Sequence, residues 1–135
     1  MSRRSRAREV ALQMLFEDDV NPRPSIEQTK EFLRARLHNP ELEEFCLSLI
    51  LGVRRNQHEL NDLLSKTADN WSLDRMAATD RNVLRLGAYE LLYTETPGRA
   101  VINEAVELAK RYGSANSAPF VNGILDKFLN RNEGP

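Results

Sequence analysis

The sequence predicts an all-α fold, a compact domain of about seven helices. Apolar residues recur at intervals of three and four along most of the 135 residues, and strand-like alternation is almost absent. No proline falls in the interior of a predicted helix. With 41% hydrophobic and 29% charged residues, the composition is that of an ordinary globular protein, and the length suits one domain.

The first half of the chain predicts a run of helices with clear starts and stops. An amphipathic first helix ends before the breaker at residues 21–24, which reads Asn-Pro-Arg-Pro. Ser25 and Gln28 have the spacing of a capping box, which opens a second helix that runs to about Leu37. Asn39-Pro40 opens the third helix. The basic segment 54–56 is interpreted as a bend before a fourth helix.

The second half is predicted to start at Trp71, followed by a helix from about Met76 to Tyr93. Two further helices close the chain, joined by a short polar turn. Gly113 follows a basic last turn, as is common where helices stop. Ser117 offers an N-cap hydroxyl for the last helix, and Pro119 is tolerated in its first turn.

Three glycines fall inside predicted helices, where each costs about 1 kcal/mol relative to alanine. We interpret them as positions where another helix packs closely. They are Gly52, Gly87 and Gly123.

Charge is distributed unevenly along the chain. The net charge is −1, but the first eight residues contain four arginines and no acidic residue. A solvated, disordered terminus would explain such a cluster, and so would contact with an anion such as nucleic acid. Because the cluster runs directly into an amphipathic helix, we favour binding. The arginines are Arg3, Arg4, Arg6 and Arg8.

Signatures of catalysis and of metal binding are missing from the sequence, which has no His-Glu-x-x-His, no phosphate-binding glycine loop and no cysteine pair. His38 and His58 are isolated, and Glu107 has the spacing to pair with Arg111 on a solvated face. We therefore expect no enzymatic activity, no cofactor and no metal. A single cysteine, Cys46, and the lack of an apolar run of about 20 residues favour a cytoplasmic location.

Four ordered motifs resemble the NusB family of bacterial transcription antitermination factors. They are RRSRAREVALQMLF from Arg3, DRNVLRLGAYELLY from Asp80, INEAVELAKRYG from Ile102 and FVNGILDK from Phe120. Together they span essentially the whole chain. The resemblance implies two antiparallel three-helix bundles in a single domain, with an N-terminal half over residues 1–70 and a C-terminal half over residues 71–135.

The resemblance also implies a function and two partners. The RNA would be single-stranded boxA RNA, and the protein partner would be the small-subunit ribosomal protein that acts as NusE. Together they would load onto RNA polymerase and support ribosomal RNA transcription. Asp80 would contact the protein partner. The implied RNA-binding residues are Arg3, Arg4, Arg6, Arg8, Gln13, Phe16, Asn116 and Phe120.

The residues themselves leave several of these roles open. Phe16 has the spacing of a core residue, Phe120 could pack inward or stack on something outside, and Asn116 suits a turn. Asp80 could instead cap its own helix. The family often has tyrosine where Phe16 stands and an acidic residue where Asn116 stands, and a neutral amide should favour RNA.

Three other functions are compatible with parts of the sequence but are less favoured. A NusB-like domain also serves as an accessory module of RNA cytosine methyltransferases, but we see no catalytic domain of about 200 residues here. A helical DNA-binding regulator with a basic arm would need a basic recognition helix, and none is evident. A pure scaffold protein would bind neither single-stranded RNA nor duplex DNA.

Overall fold

The computed structural model describes residues 2–132, and within that range it is helical, with no strand. The prediction of an all-α fold is therefore confirmed. A short 3₁₀ helix, Leu73–Arg75, lies between the third and fourth α-helices. The six α-helices of the described range are α1 (Arg3–Val20), α2 (Ile26–Leu37), α3 (Pro40–Thr67), α4 (Ala78–Tyr93), α5 (Gly98–Tyr112) and α6 (Ser117–Asn132).

The interpretation of residues 54–56 as a bend between two helices is wrong, because α3 continues through this segment as one helix. The third and fourth predicted helices are one helix, which accounts for the difference from seven. Arg54 explains the error, since its side chain is only 8% exposed and pairs with Asp18 instead of marking a solvated bend. The chain divides into two compact units, Met1–Arg55 (unit 1) and Asn56–Pro135 (unit 2), and this division lies within α3.

Local capping starts each helix of unit 1, and for α2 and α3 it does so where the sequence predicts it. The Ser5 N–H donates to Ser2 Oγ at 3.1 Å, which caps α1. Ser25 and Gln28 form the predicted capping box of α2. At the start of α3 the Leu42 N–H donates to the side-chain oxygen of Asn39 at 3.0 Å. Such bonds satisfy backbone donors that the first helical turn leaves unpaired.

A buried ion pair connects the three helices of unit 1. The Arg54 guanidinium donates to both carboxylate oxygens of Asp18, at 2.7 and 2.9 Å, and to the Thr29 hydroxyl at 3.1 Å. Asp18 is 5% exposed in its side chain. Removing one partner of such a pair costs about 3–5 kcal/mol, because the other charge is left buried alone.

Helices α4, α5 and α6 pack against one another in unit 2. Gly87 permits the close approach of α6, because a Cβ there would lie 2.8 Å from Leu125 Cδ1 and 3.7 Å from the Ala105 Cβ. The packing interpretation of Gly87 is thus confirmed. It is wrong for Gly123, where an added Cβ would meet nothing within 4 Å. None of the described helices is long and apolar enough to cross a membrane.

The turn between α5 and α6 depends on Gly113. Its φ of −95° is open to any residue, so its conformation is not the reason for the glycine. An added Cβ would instead lie 2.4 Å from Ser117 Oγ and 2.8 Å from the Ala109 carbonyl oxygen. Ser117 is the first residue of α6 and is buried, and its hydroxyl accepts from the Ser114 N–H at 2.9 Å. The predicted capping role of Ser117 is therefore replaced by a bond that closes the turn.

Changing Gly113 to alanine should lower the free energy of unfolding by about 1–3 kcal/mol, since the new methyl group meets a buried hydroxyl and a backbone oxygen. Chemical denaturation measures the change. Gly123→Ala is the matched control and should not destabilise the protein, because its methyl group enters open space. Equal loss of stability in both variants would contradict this account of the turn.

Candidate nucleic-acid interface

The four N-terminal arginines all lie in the ordered helix α1, but they differ in exposure. Arg3 and Arg4 are exposed in the first turn, and the Arg6 side chain is 41% exposed. Arg8 is only 5% exposed. Exposure therefore falls along the arginine cluster. The first residues are available to an external anion, and the last is part of the interior.

Phe45 of α3 holds two of these arginines. The guanidinium carbon of Arg4 lies 4.3 Å from the centre of the Phe45 ring, and that of Arg8 lies 5.2 Å from it. Arg4 and Arg8 are four residues apart, so they project from the same face of α1. A cation over an aromatic ring contributes about 0.5–1 kcal/mol at an exposed site and more where water is excluded. Phe45 thus restrains Arg4 in a turn that would otherwise fray.

Arg6 is anchored differently, through an ion pair with Glu9. Glu9 is 4% exposed, so this carboxylate is drawn into the interior beside the helix start. The pair compensates part of the charge of Arg6. Of the four arginines, Arg3 and Arg4 are therefore the two whose charge is most exposed to solvent.

Gln13 and Phe16 lie further along α1. Gln13 is partly exposed, and Phe16 is 37% exposed, so Phe16 belongs to the surface and not to the core. Gln13 stands seven residues after Arg6 and three before Phe16, which places all three on one side of the helix. Unit 1 therefore brings the predicted arginines, amide and aromatic ring onto a single helix.

Unit 2 contains an aromatic pair, half-buried Phe120 and exposed Trp71, of which only Phe120 was predicted from the sequence. Phe120, in the first turn of α6, meets Trp71 edge to face, with ring centres 5.7 Å apart and planes at 74°. Trp71 is 47% exposed. Asn116 is exposed in the preceding turn, where its carbonyl accepts from the Phe120 N–H at 3.3 Å. The sequence analysis missed Trp71 as a site residue, although it is the single tryptophan of the chain.

Asp80 lies in the first turn of α4 but does not cap it. The N-cap is Ala77, and no side-chain bond caps this helix, so the capping alternative is wrong. Neighbouring Arg81 donates to the Met76 carbonyl at 2.9 Å. One carboxylate oxygen of Asp80, Oδ1, is buried without a hydrogen-bond partner. An unsatisfied buried acceptor is costly, and no donor in the described chain meets this oxygen.

Within residues 2–132, no group of three or more His, Cys, Asp or Glu could hold a metal ion. Burial raises the pKa of the Cys46 thiol to about 12. The thiol is therefore protonated at neutral pH and is a poor nucleophile.

A family model described as the NusB family matches residues 5–130. The chain belongs to the NusB family. The transcription antitermination protein NusB of Anaeromyxobacter dehalogenans (strain 2CP-1) is 44% identical over 127 residues, which cover 93% of this chain and 89% of the relative. The NusB of Bdellovibrio bacteriovorus is 36% identical over 129 residues, or 94% of this chain and 95% of the relative.

Solved structures agree with this assignment. T. maritima NusB superposes with a TM-score of 0.84 at 36% identity, covering 96% of this chain and 92% of that one. A crystal structure of antitermination factors NusB and NusE in complex with dsRNA gives a TM-score of 0.85 at 30% identity, covering 97% and 98%. The motif-based assignment is confirmed, and with it the general function of a transcription antitermination factor.

Replacing Phe45 by leucine should loosen the first turn of α1, because leucine keeps apolar volume but has no aromatic face for Arg4 and Arg8. Hydrogen exchange should become faster at the Arg6 amide, which donates to the Ser2 carbonyl at 3.1 Å.

Phe32→Leu is the matched control, since Phe32 makes the same kind of cation–π contact within α2. The guanidinium carbon of Arg36 lies 3.5 Å from the centre of the Phe32 ring. This control should leave exchange in the first turn of α1 unchanged. If both variants exchange there like the parent protein, Phe45 does not restrain the helix start.

Proposed function

We propose that this protein is a non-catalytic antitermination factor that binds single-stranded boxA-type RNA together with the ribosomal protein NusE. It would act in the cytoplasm, where the joint complex would load onto RNA polymerase and support processive transcription of ribosomal RNA. The observation that carries the proposal is the arginine-bearing first turn of α1, which is held by Phe45. Family membership and the related NusB–NusE–dsRNA complex support the same partners.

The chemistry of the α1 arginines suits RNA. A guanidinium attracts phosphate, donates in a fork and stacks on bases. Arg3 and Arg4 are exposed in a helical turn that begins at a Ser2 cap, so less backbone order has to be gained on binding. Gln13 and Phe16 lie further along α1, on the side of Arg6, and add an amide and an exposed ring. An unpaired strand offers base edges and faces to such groups.

Unit 2 offers the complementary chemistry for an unpaired base. Phe120 carries an aromatic ring at the surface beside Trp71, and Asn116 adds a neutral amide at the turn. Stacking of a base on an aromatic side chain contributes about 1–3 kcal/mol in single-strand binders. Because Asn116 is uncharged, it does not repel phosphate.

We propose Asp80 as the residue that contacts the protein partner. Its buried Oδ1 has no donor within the described chain. We infer that a lysine or arginine of NusE would pair with the charge of the Asp80 carboxylate. RNA and NusE would then bind cooperatively, with a coupling of about 1–3 kcal/mol.

RNA binding is tested by equilibrium titration of labelled boxA RNA, with and without NusE, against scrambled RNA, duplex RNA and duplex DNA. Tighter binding to single-stranded boxA RNA that strengthens with NusE is expected. The double variant Arg3→Gln, Arg4→Gln should bind more weakly, and its salt dependence should fall by a slope of about 0.7 for each phosphate that the variant no longer neutralises.

The double variant Arg34→Gln, Arg36→Gln removes the same charge from the last turn of α2 and is the control. It should bind boxA RNA like the parent protein. Equal, salt-sensitive binding to all four nucleic acids would reduce the α1 arginines to a nonspecific anchor and would contradict the proposal.

Changing Asp80 to asparagine should weaken NusE binding by about tenfold or more, because it removes the charge that a partner donor would meet. Binding of RNA alone and the unfolding temperature should not fall. Asp62→Asn is the control, since the Asp62 side chain is 68% exposed in the same unit. Calorimetric titration of NusE measures the effect, and equal affinity of all three proteins would exclude Asp80 from the interface.

A further inference from the structure

Trp71 is held at the surface of unit 2 by contacts around the turn that precedes it. Lys127 of α6 donates to an Asp69 carboxylate oxygen at 3.1 Å, and Arg131 donates to the Lys66 carbonyl at 3.0 Å. Asp69 and its neighbour Asn70 both have positive φ, 56° and 66°, a conformation that non-glycine residues rarely adopt. The turn is therefore a defined structure and not a loose connection.

The aromatic pair leaves stacking surface available. In the edge-to-face contact of Trp71 with Phe120, one ring edge meets one ring face. The remaining faces are not used by this contact, and 47% of the surface of Trp71 is exposed. A flat π-system could therefore stack on the pair from outside.

Gly123 has no explanation within the chain. It lies in the interior of α6, where glycine destabilises a helix relative to alanine. No atom lies within 4 Å of the Cβ position, whereas Gly87, Gly98 and Gly113 each face a contact shorter than 3.0 Å. Its φ is also outside the left-handed region that would require glycine. The absent side chain thus leaves the α6 backbone open toward solvent.

Gly123 belongs to the same side of α6 as the aromatic pair. It follows Phe120 by three residues and precedes Lys127 by four, and both of these contact the segment that ends at Trp71. Asn116 lies in the turn that precedes α6. An aromatic platform and an uncovered stretch of helix backbone are therefore neighbours on one surface.

We propose that Trp71, Phe120 and Gly123 form a subsite for one unpaired nucleotide of the bound RNA. The base stacks on the aromatic pair, and the missing side chain at Gly123 lets the sugar and phosphate approach α6 closely. This inference rests on the proposed RNA-binding function and adds two residues, Trp71 and Gly123, to it.

The surface favours a nucleotide over a protein segment. The large hydrophobic residues exposed in the described part of unit 2 are Trp71, Tyr93 and Tyr112, all of them aromatic. Aliphatic anchors, which a hydrophobic protein groove would present, are absent from that set. Every base has a π-face, so an aromatic platform binds bases with little regard to sequence. The subsite thus contributes affinity, while base edges elsewhere determine specificity.

Trp71 reports on the subsite directly, because it is the single tryptophan. Titration with boxA RNA should quench its fluorescence, while a labelled RNA reports binding independently by anisotropy. Gly123→Ala should raise or preserve the unfolding temperature and yet weaken RNA binding by about three- to tenfold. Asn122→Ala, an exposed neighbour in α6, should leave RNA affinity unchanged. A second variant, Trp71→Leu, should weaken RNA binding by about tenfold.

The possible outcomes distinguish the proposed subsite from the proposed RNA-binding function. If boxA RNA fails to bind at all, the proposed function fails. If RNA binds but Trp71 fluorescence does not change and Gly123→Ala binds normally, the subsite is wrong and RNA binding stands. If Gly123→Ala weakens NusE binding and not RNA binding, the surface belongs to the protein partner and the inference is overturned.

Discussion

The close approach of α6 to α4 at Gly87 is the constraint on which the candidate surface of unit 2 depends. Leu125 occupies the space that a side chain on Gly87 would fill, and this contact fixes the position of α6 against α4. Because a helix is stiff, the position of its buried face also determines where its exposed face points. Phe120 and Lys127 then meet Trp71 and Asp69, which present the tryptophan to solvent. A packing constraint in the core thereby positions Phe120 and the exposed Trp71.

Unit 1 uses arginine for two different purposes, and burial separates them. Arg54 and Arg8 are largely removed from water, where the first binds Asp18 and the second lies near Phe45. Arg4 contacts the same ring but remains exposed. The interior arginines hold the helices and the ring in place, so the exposed one acts from an ordered position. Charge in this unit therefore contributes to the fold and to the proposed RNA contact together.

Local signals in the sequence predicted much of the fold, and long-range contacts account for what was missed. The capping box at Ser25 and the end of α5 before Gly113 depend on neighbouring residues, and both were predicted. Arg54, which lies inside the continuous helix α3, is buried against a carboxylate 36 residues away. The roles of Phe45 and Trp71 likewise depend on partners distant in sequence, which no periodicity reveals. The family motifs indicated α1 and Phe120, but not the rings beside them.

The proposed RNA contacts are the start of α1 in unit 1 and the Trp71–Phe120 pair in unit 2. Photo-crosslinking of boxA RNA containing 4-thiouridine, followed by identification of the crosslinked peptides, tests these contacts most directly. The account predicts crosslinks in peptides from the first turns of α1 and in peptides that contain Trp71 or Phe120. Crosslinks confined to other segments, such as α2 or the exposed side of α5, would contradict it.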